Sequence, residues 1–165
     1  MNRAIQYRIY PSEEQKQLFA KTFGCCRKIW NLMLEDREAA YQKDKTVFKP
    51  TPAMYKNEYS YLKEVDSLAL ANVQLNLQDA YHRFFTVKGT GHPKFKSRKR
   101  SRNSYTTNNQ NGTVAIDFEN NTIRLPKIGL VKAKLHRLPC EEWKLKAATV
   151  SRDSKGDHYC SVLFE

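Results

Sequence analysis

The stretch Arg3-Ala4-Ile5-Gln6-Tyr7-Arg8-Ile9-Tyr10-Pro11-Ser12-Glu13-Glu14-Gln15 decides how the chain begins. Ile5, Tyr7 and Ile9 alternate with Gln6 and Arg8, which is the period of a half-buried strand. Pro11 ends the strand, since it has no amide to give to a ladder. Ser12 then opens a capping box in which Gln15 reaches back from the third helical position. The helix that follows buries Leu18, Phe19 and Phe23 and is expected to stop at Gly24.

Downstream, Cys26, Ile29, Trp30, Met33, Leu34, Ala40 and Tyr41 recur at three and four, predicting a second helix from Cys25 to Lys43. Pro50 and Pro52 punctuate a loop, and a weaker helix or turn carries Met54, Tyr55, Tyr59 and Leu62. Asp66 or Ser67 caps another helix from Leu68 to Phe85, with Leu70, Val73, Leu77, Ala80, Tyr81 and Phe84 on its buried side. Gly89, Gly91 and Pro93 break it. Beyond Asn103 the period becomes two: Val114, Ile116 and Phe118 alternate, Asn120-Asn121 turns, and Ile123 returns with Leu125 as a hairpin. Leu130 to Leu135 is a further strand candidate. Leu145 to Arg152 and His158 to Glu165 flank the loop Asp153-Ser154-Lys155-Gly156-Asp157 as another hairpin. One strand, then helices, then strands implies an α+β fold. The N-terminal strand pairs with the C-terminal ones, and the helices form an insertion.

The 165 residues suit one compact domain or two small ones, and an aromatic content of 12% argues against disorder. No apolar run approaches the roughly 20 residues of a membrane span, and MNRAIQYRIY lacks the apolar core of a signal peptide, so a cytoplasmic address is expected. Lys and Arg number 29 against 17 acidic residues, for a net charge of +12. No acidic residue stands between Asp79 and Asp117, an interval that holds Arg83, Lys88, Lys94, Lys96, Arg98, Lys99, Arg100 and Arg102. A clustered field of one sign with interleaved aromatics suits a polyanion, and nucleic acid is the commonest. Cys25 and Cys26 are adjacent, Cys140 and Cys160 stand alone, and His82, His92, His136 and His158 form no ligand pattern, so neither metal nor cofactor is expected.

Several blocks of this sequence resemble insertion-sequence TnpB (OrfB) proteins. They are Arg8-Ile9-Tyr10-Pro11-Ser12 with Gln15 and Leu18, Cys26-Arg27-Lys28-Ile29-Trp30-Asn31, Leu62-Lys63-Glu64-Val65-Asp66-Ser67, Ala80-Tyr81-His82-Arg83-Phe84-Phe85, Gly91-His92-Pro93-Lys94-Phe95-Lys96 and Ile123-Arg124-Leu125-Pro126-Lys127-Ile128-Gly129. The resemblance implies an RNA-guided transposon nuclease whose N-terminal part is a β-barrel-like wedge domain interrupted by a helical recognition domain. Here those would be 1–11 with 103–165, and 12–102 with a basic segment over 88–102. It also places the family's nuclease carboxylates and zinc-ribbon cysteines beyond Glu165. No catalysis is therefore expected of this chain, and Asp117, Glu119, Asp153, Asp157 and Glu165 are taken as ordinary surface charges. The implied partners are a structured guide RNA and double-stranded DNA beside the target, with no membrane.

Lys94, Lys96, Arg98, Lys99, Arg100 and Arg102 are placed to grip phosphates. Phe95 and Tyr105 flank them and either stack on bases or pack in a core. Asn72, Asn76, Asp79 and Arg83 share one helix face, a base-reading or merely solvated one, and Thr107, Asn108, Asn109 and Gln110 form a polar stretch suited to DNA. A competing account joins the first two helices at Gly24 into a guide-independent helix-turn-helix reader, with Arg27, Lys28, Asn31 and Arg37 as its face. Others are an inactive transposase remnant, and a module that meets a separate nuclease subunit or a second copy. In that last account Val162-Leu163-Phe164 would form an exposed apolar strand edge.

Overall fold

A computed structural model describes Met1–Glu165. The chain divides into two compact units, one of Met1–Phe23 with Arg102–Glu165 and one of Gly24–Ser101.

The first unit is a seven-stranded antiparallel sheet. Its strands are β1 (Arg3–Tyr10), β2 (Asn103–Asn108), β3 (Ala115–Asp117), β4 (Thr122–Leu125), β5 (Gly129–Lys134), β6 (Leu145–Arg152) and β7 (His158–Phe164), in the spatial order β2-β6-β7-β1-β5-β4-β3. The expected pairing of the two chain ends holds: Arg3 lies opposite Phe164 and Ile9 opposite His158. On its other side β1 takes β5, with Arg8 opposite Lys134. The barrel-like closure is corrected. β2 pairs only with β6 and the three-residue β3 only with β4, so the sheet is open. The exposed apolar edge expected at Val162-Leu163-Phe164 is also corrected, because β7 lies between β6 and β1 and buries Val162 and Phe164.

One sheet face carries the core. Ile5, Tyr7 and Ile9 of β1, Val131 and Ala133 of β5, and Cys160 and Val162 of β7 are buried. The first turns of α1 (Glu13–Asp44) add Phe19 and Phe23, whose rings lie 6.3 Å and 5.8 Å from that of Tyr105. The capping box forms as its sequence requires: the Ser12 amide donates to Gln15 Oε1 (3.0 Å) and the Gln15 amide to Ser12 Oγ (3.2 Å). Polar turns are tied by single carboxylates. Asp153 Oδ1 accepts the amides of Lys155 and Asp157, and Asp117 Oδ1 those of Glu119 and Asn120.

The helix does not stop at Gly24. α1 is continuous over 32 residues, so no helix-turn-helix corner forms there. A glycine inside a helix costs about 1 kcal/mol relative to alanine. Burial of Phe23, Cys25 and Cys26 around it, at roughly 1.5–3 kcal/mol for each large side chain, exceeds that. The second unit buries Ile29, Met33 and Leu34 of α1, Leu62 and Val65, and Leu70, Val73, Leu77 and Tyr81 of α2 (Ser67–Thr86). Asp66 caps α2, accepting the Leu68 amide at 3.0 Å.

Candidate nucleic-acid interface

The basic segment begins where α2 ends, and its root is fastened to α1. Trp30 Nε1 donates to the carbonyl of Lys94 at 2.8 Å. Asn31 bonds Lys96 in both directions, its Nδ2 donating to the carbonyl (2.9 Å) and its Oδ1 accepting the amide (2.8 Å). An extended segment has no hydrogen bonds of its own, so these three bonds give it a fixed course. The tip is then closed by serines. The Ser97 amide donates to Ser101 Oγ (3.0 Å), and Ser97 Oγ accepts the Arg100 amide (3.2 Å). Arg98, Lys99 and Arg100 occupy this turn exposed to solvent, and Lys94 and Phe95 are exposed at its root. Lys96 is held differently, with its Nζ 4.1 Å from the centre of the Trp30 ring and its pKa lowered by burial.

On α2, Asn76 and Arg83 are exposed, Arg83 bonding Asp79 at 3.3 Å one turn away. Asn72 is half-buried and donates to the Leu68 carbonyl (2.9 Å).

In the first unit Arg102 and Asn108 are exposed, but Tyr105 and Thr107 are corrected. Both point into the core, Tyr105 at 5% exposure and Thr107 at 0%, so neither reaches a ligand. Asn109 serves its own loop, accepting the amides of Gly112 and Val114.

A second basic surface escapes a search for charge runs. Arg8 lies opposite Lys134 and Tyr159, and Tyr10 opposite Lys132, so all five side chains leave the solvent face of one sheet. The Arg8 guanidinium stands 4.9 Å from the Tyr10 ring centre and 5.6 Å from that of Tyr159, and bonds Asp157 at 2.9 Å. The signal lay in the alternation of Leu130-Val131-Lys132-Ala133-Lys134, which puts both lysines on the face opposite Val131 and Ala133.

The face proposed for a helix-turn-helix reader is largely engaged within the second unit. Asn31 holds Lys96, Lys28 Nζ lies 4.6 Å over the Tyr59 ring, and Arg37 lies 3.8 Å over the Tyr81 ring. Burial lowers the pKa of Arg37. Cys25, Cys26 and Cys160 are buried and Cys140 is exposed, and burial pushes the thiols of Cys26 and Cys160 up to about 12. No group of three His, Cys, Asp or Glu side chains is arranged to hold a metal ion, and no helix is long and apolar enough to cross a membrane.

Residues 1–46, which fold as β1 and all of α1, match the "Helix-turn-helix domain" of the OrfB proteins of IS605 type. A "Putative RNA-guided DNA endonuclease" of Streptomyces pristinaespiralis is 33% identical over 175 aligned residues, which cover 100% of this chain. "Virulence protein VsdF" of Salmonella dublin is 31% identical over 102 residues, covering 53% of this chain and 86% of that protein. The chain belongs to the TnpB (OrfB) family.

This TnpB-family chain spans 42% of the length of the Streptomyces relative. The blocks that carry the resemblance now have structural work. Trp30 and Asn31 of the second block hold Lys94 and Lys96 of the fifth, and Tyr81 of the fourth bonds Glu38. The family's nucleic-acid-binding character fits the two basic surfaces, one in each unit.

Proposed function

We propose that this chain is the RNA- and target-DNA-gripping part of a TnpB-type effector and contributes binding rather than cleavage. The Arg98-Lys99-Arg100 turn takes phosphates of a structured guide RNA, with Lys94 and the exposed Phe95 at its root. Asn76 and Arg83 of α2 face duplex DNA, and Arg8, Lys132 and Lys134 supply a second phosphate-binding face. The observation that carries this reading is the fastening of the basic segment by Trp30 and Asn31 and its closure by Ser97 and Ser101. A charge cluster held in one conformation loses less entropy on binding than a free tail does.

The first experiment is to purify the chain from its host at moderate salt and sequence the nucleic acid that accompanies it. One abundant structured RNA is the expected result. Affinity for that RNA should fall steeply with salt. Replacing Arg98, Lys99 and Arg100 together by Ala should lower the slope of log affinity against log salt by about two to three. An unchanged slope removes the turn from the interface. Absence of any bound nucleic acid, with no salt-sensitive affinity, refutes the function.

A further inference from the structure

At His92, ahead of the Ser97–Ser101 turn, the same segment passes a cleft that the phosphate-gripping account leaves unused. The cleft, of about 350 Å³, lies within the second unit between α1, the residues after it and the end of α2. That volume falls in the range of small-ligand sites. Tyr41, Phe84 and Phe85 line it, and Phe85 is 73% exposed. Phe84 and Phe85 meet at 5.1 Å and 58°, and the Phe84 ring also meets His92 edge-on at 5.1 Å.

Its polar lining includes Arg37, Glu38 and His92. The Arg37 guanidinium carbon stands 3.8 Å from the centre of the Tyr81 ring, and a guanidinium carries several N–H donors in one plane. Glu38 Oε1 takes both Tyr81 Oη (2.6 Å) and His92 Nε2 (2.7 Å), while Oε2 takes neither. The Tyr81 hydroxyl, and then His92 and Arg37, hold the Glu38 pKa below its ordinary value, so the group stays an acceptor. An apolar side chain from a protein partner would cover Arg37 and Glu38 without pairing them, which is costly. A flat ring with both acceptors and donors on its edge pairs them. Guanine has O6 and N7 for an arginine fork, N1–H and the N2 amino group for a carboxylate oxygen, and two faces for phenylalanine. His92, bonded to Glu38, is followed by Pro93 and Lys94, so cleft and phosphate-gripping turn follow each other along one strand of chain.

We propose that this cleft takes a single unstacked guanine of the bound nucleic acid. The inference rests on the reading of this chain as a nucleic-acid binder and adds a base preference to it. The test compares oligoadenylates of about ten nucleotides with the same strands carrying one central guanine, in ribose and deoxyribose series, by fluorescence anisotropy. The guanine strand should bind about tenfold more tightly. A preference in the ribose series alone assigns the base to RNA, and an equal one in both leaves the sugar unread. Phe85→Ala, at a position exposed enough to leave the fold intact, should bring the guanine strand down to the level of the all-adenine strand. Guanosine, and not adenosine, should shift the His92 ring resonances. Strands that bind equally with or without guanine overturn the cleft and leave the proposed function standing. Guanosine shifts without oligonucleotide binding support the cleft and refute the function. Self-association that Phe85→Ala abolishes, with no guanine preference, makes the cleft a protein-contact face and overturns the proposal.

Discussion

His158 sits on β7 at 3% exposure, its ring 5.6 Å from that of Phe19, and its Nε2 has no hydrogen-bond partner. Burial lowers its pKa from 6.5, and Arg152, Lys16 and Arg8 lower it further by repelling the imidazolium. The unfolded chain therefore takes up a proton first as pH falls, and the His158 contribution to stability is full above pH 6.5 and declines below it. Glu38 has the same sign but acts lower, since its depressed pKa matters only where carboxylates protonate, below about 4.5. Urea midpoints for the native chain should fall between pH 6.5 and about 5, and those of His158→Leu should stay nearly level there. Parallel slopes in the two proteins would mean the imidazolium is tolerated in the fold. None of this was legible from a lone histidine in a sequence. Tyr105 teaches the same lesson from the other side: its place beside a basic run left base stacking and core packing both open, and the rings that decide for the core, Phe19 and Phe23, lie on α1 far away in sequence.

Elements with strong local signals were readable, and those defined by distant partners were not. β6 spans Leu145–Arg152 and α2 Ser67–Thr86, close to the limits their periodicity implies. β2 reads Asn-Ser-Tyr-Thr-Thr-Asn and looks like a polar loop. It becomes a strand because β6 pairs with it, with Thr106 Oγ1 2.8 Å from Thr149 Oγ1. The segment from His92 to Ser101 is the functional counterpart. Its charge was plain, but the clamp that orders it is Asn31, 65 residues from Lys96. Asn31→Ala removes both bonds to Lys96 and should cost about 1–2 kcal/mol. The larger effect should be local, with trypsin cutting after Arg98, Lys99 or Arg100 several-fold faster under native conditions. Asn31→Asp keeps the acceptor for the Lys96 amide and loses the donor, so it should fall between the two. Cleavage at the native rate in Asn31→Ala would show that Trp30 alone fixes the segment, and the weight placed on Asn31 would be wrong.

At the scale of the whole chain, the order strand, helices, strands correctly implied one sheet built from both ends, but it could not show whether that sheet closes. Closure depends on whether β2 and β3 meet, and no local pattern encodes that. β1 is the pivot, paired with β7 on one side and β5 on the other, while its partners lie more than a hundred residues downstream. Pairings of such long range slow folding, because the loop must close before any contact forms. A circular permutant tests whether that closure limits the rate. Joining Glu165 to Met1 by a short flexible linker is geometrically easy, since Arg3 lies opposite Phe164. New ends belong between Gly89 and Thr90, in an exposed turn whose one local bond is from the Thr90 amide to the Val87 carbonyl. The permutant then runs through β2 to β7 and directly into β1, so every strand of the sheet lies in one continuous stretch. Both helices follow β1 in their native order, and only the segment from Thr90 to Ser101 moves to the opposite end. The sheet-forming phase, followed by far-ultraviolet circular dichroism after dilution from urea, should accelerate on the order of tenfold. Unfolding should change much less, because the native pairings are the same. An unaltered sheet-forming rate would place the slow step after β1 docks, and the separation of the two chain ends would then have no kinetic consequence.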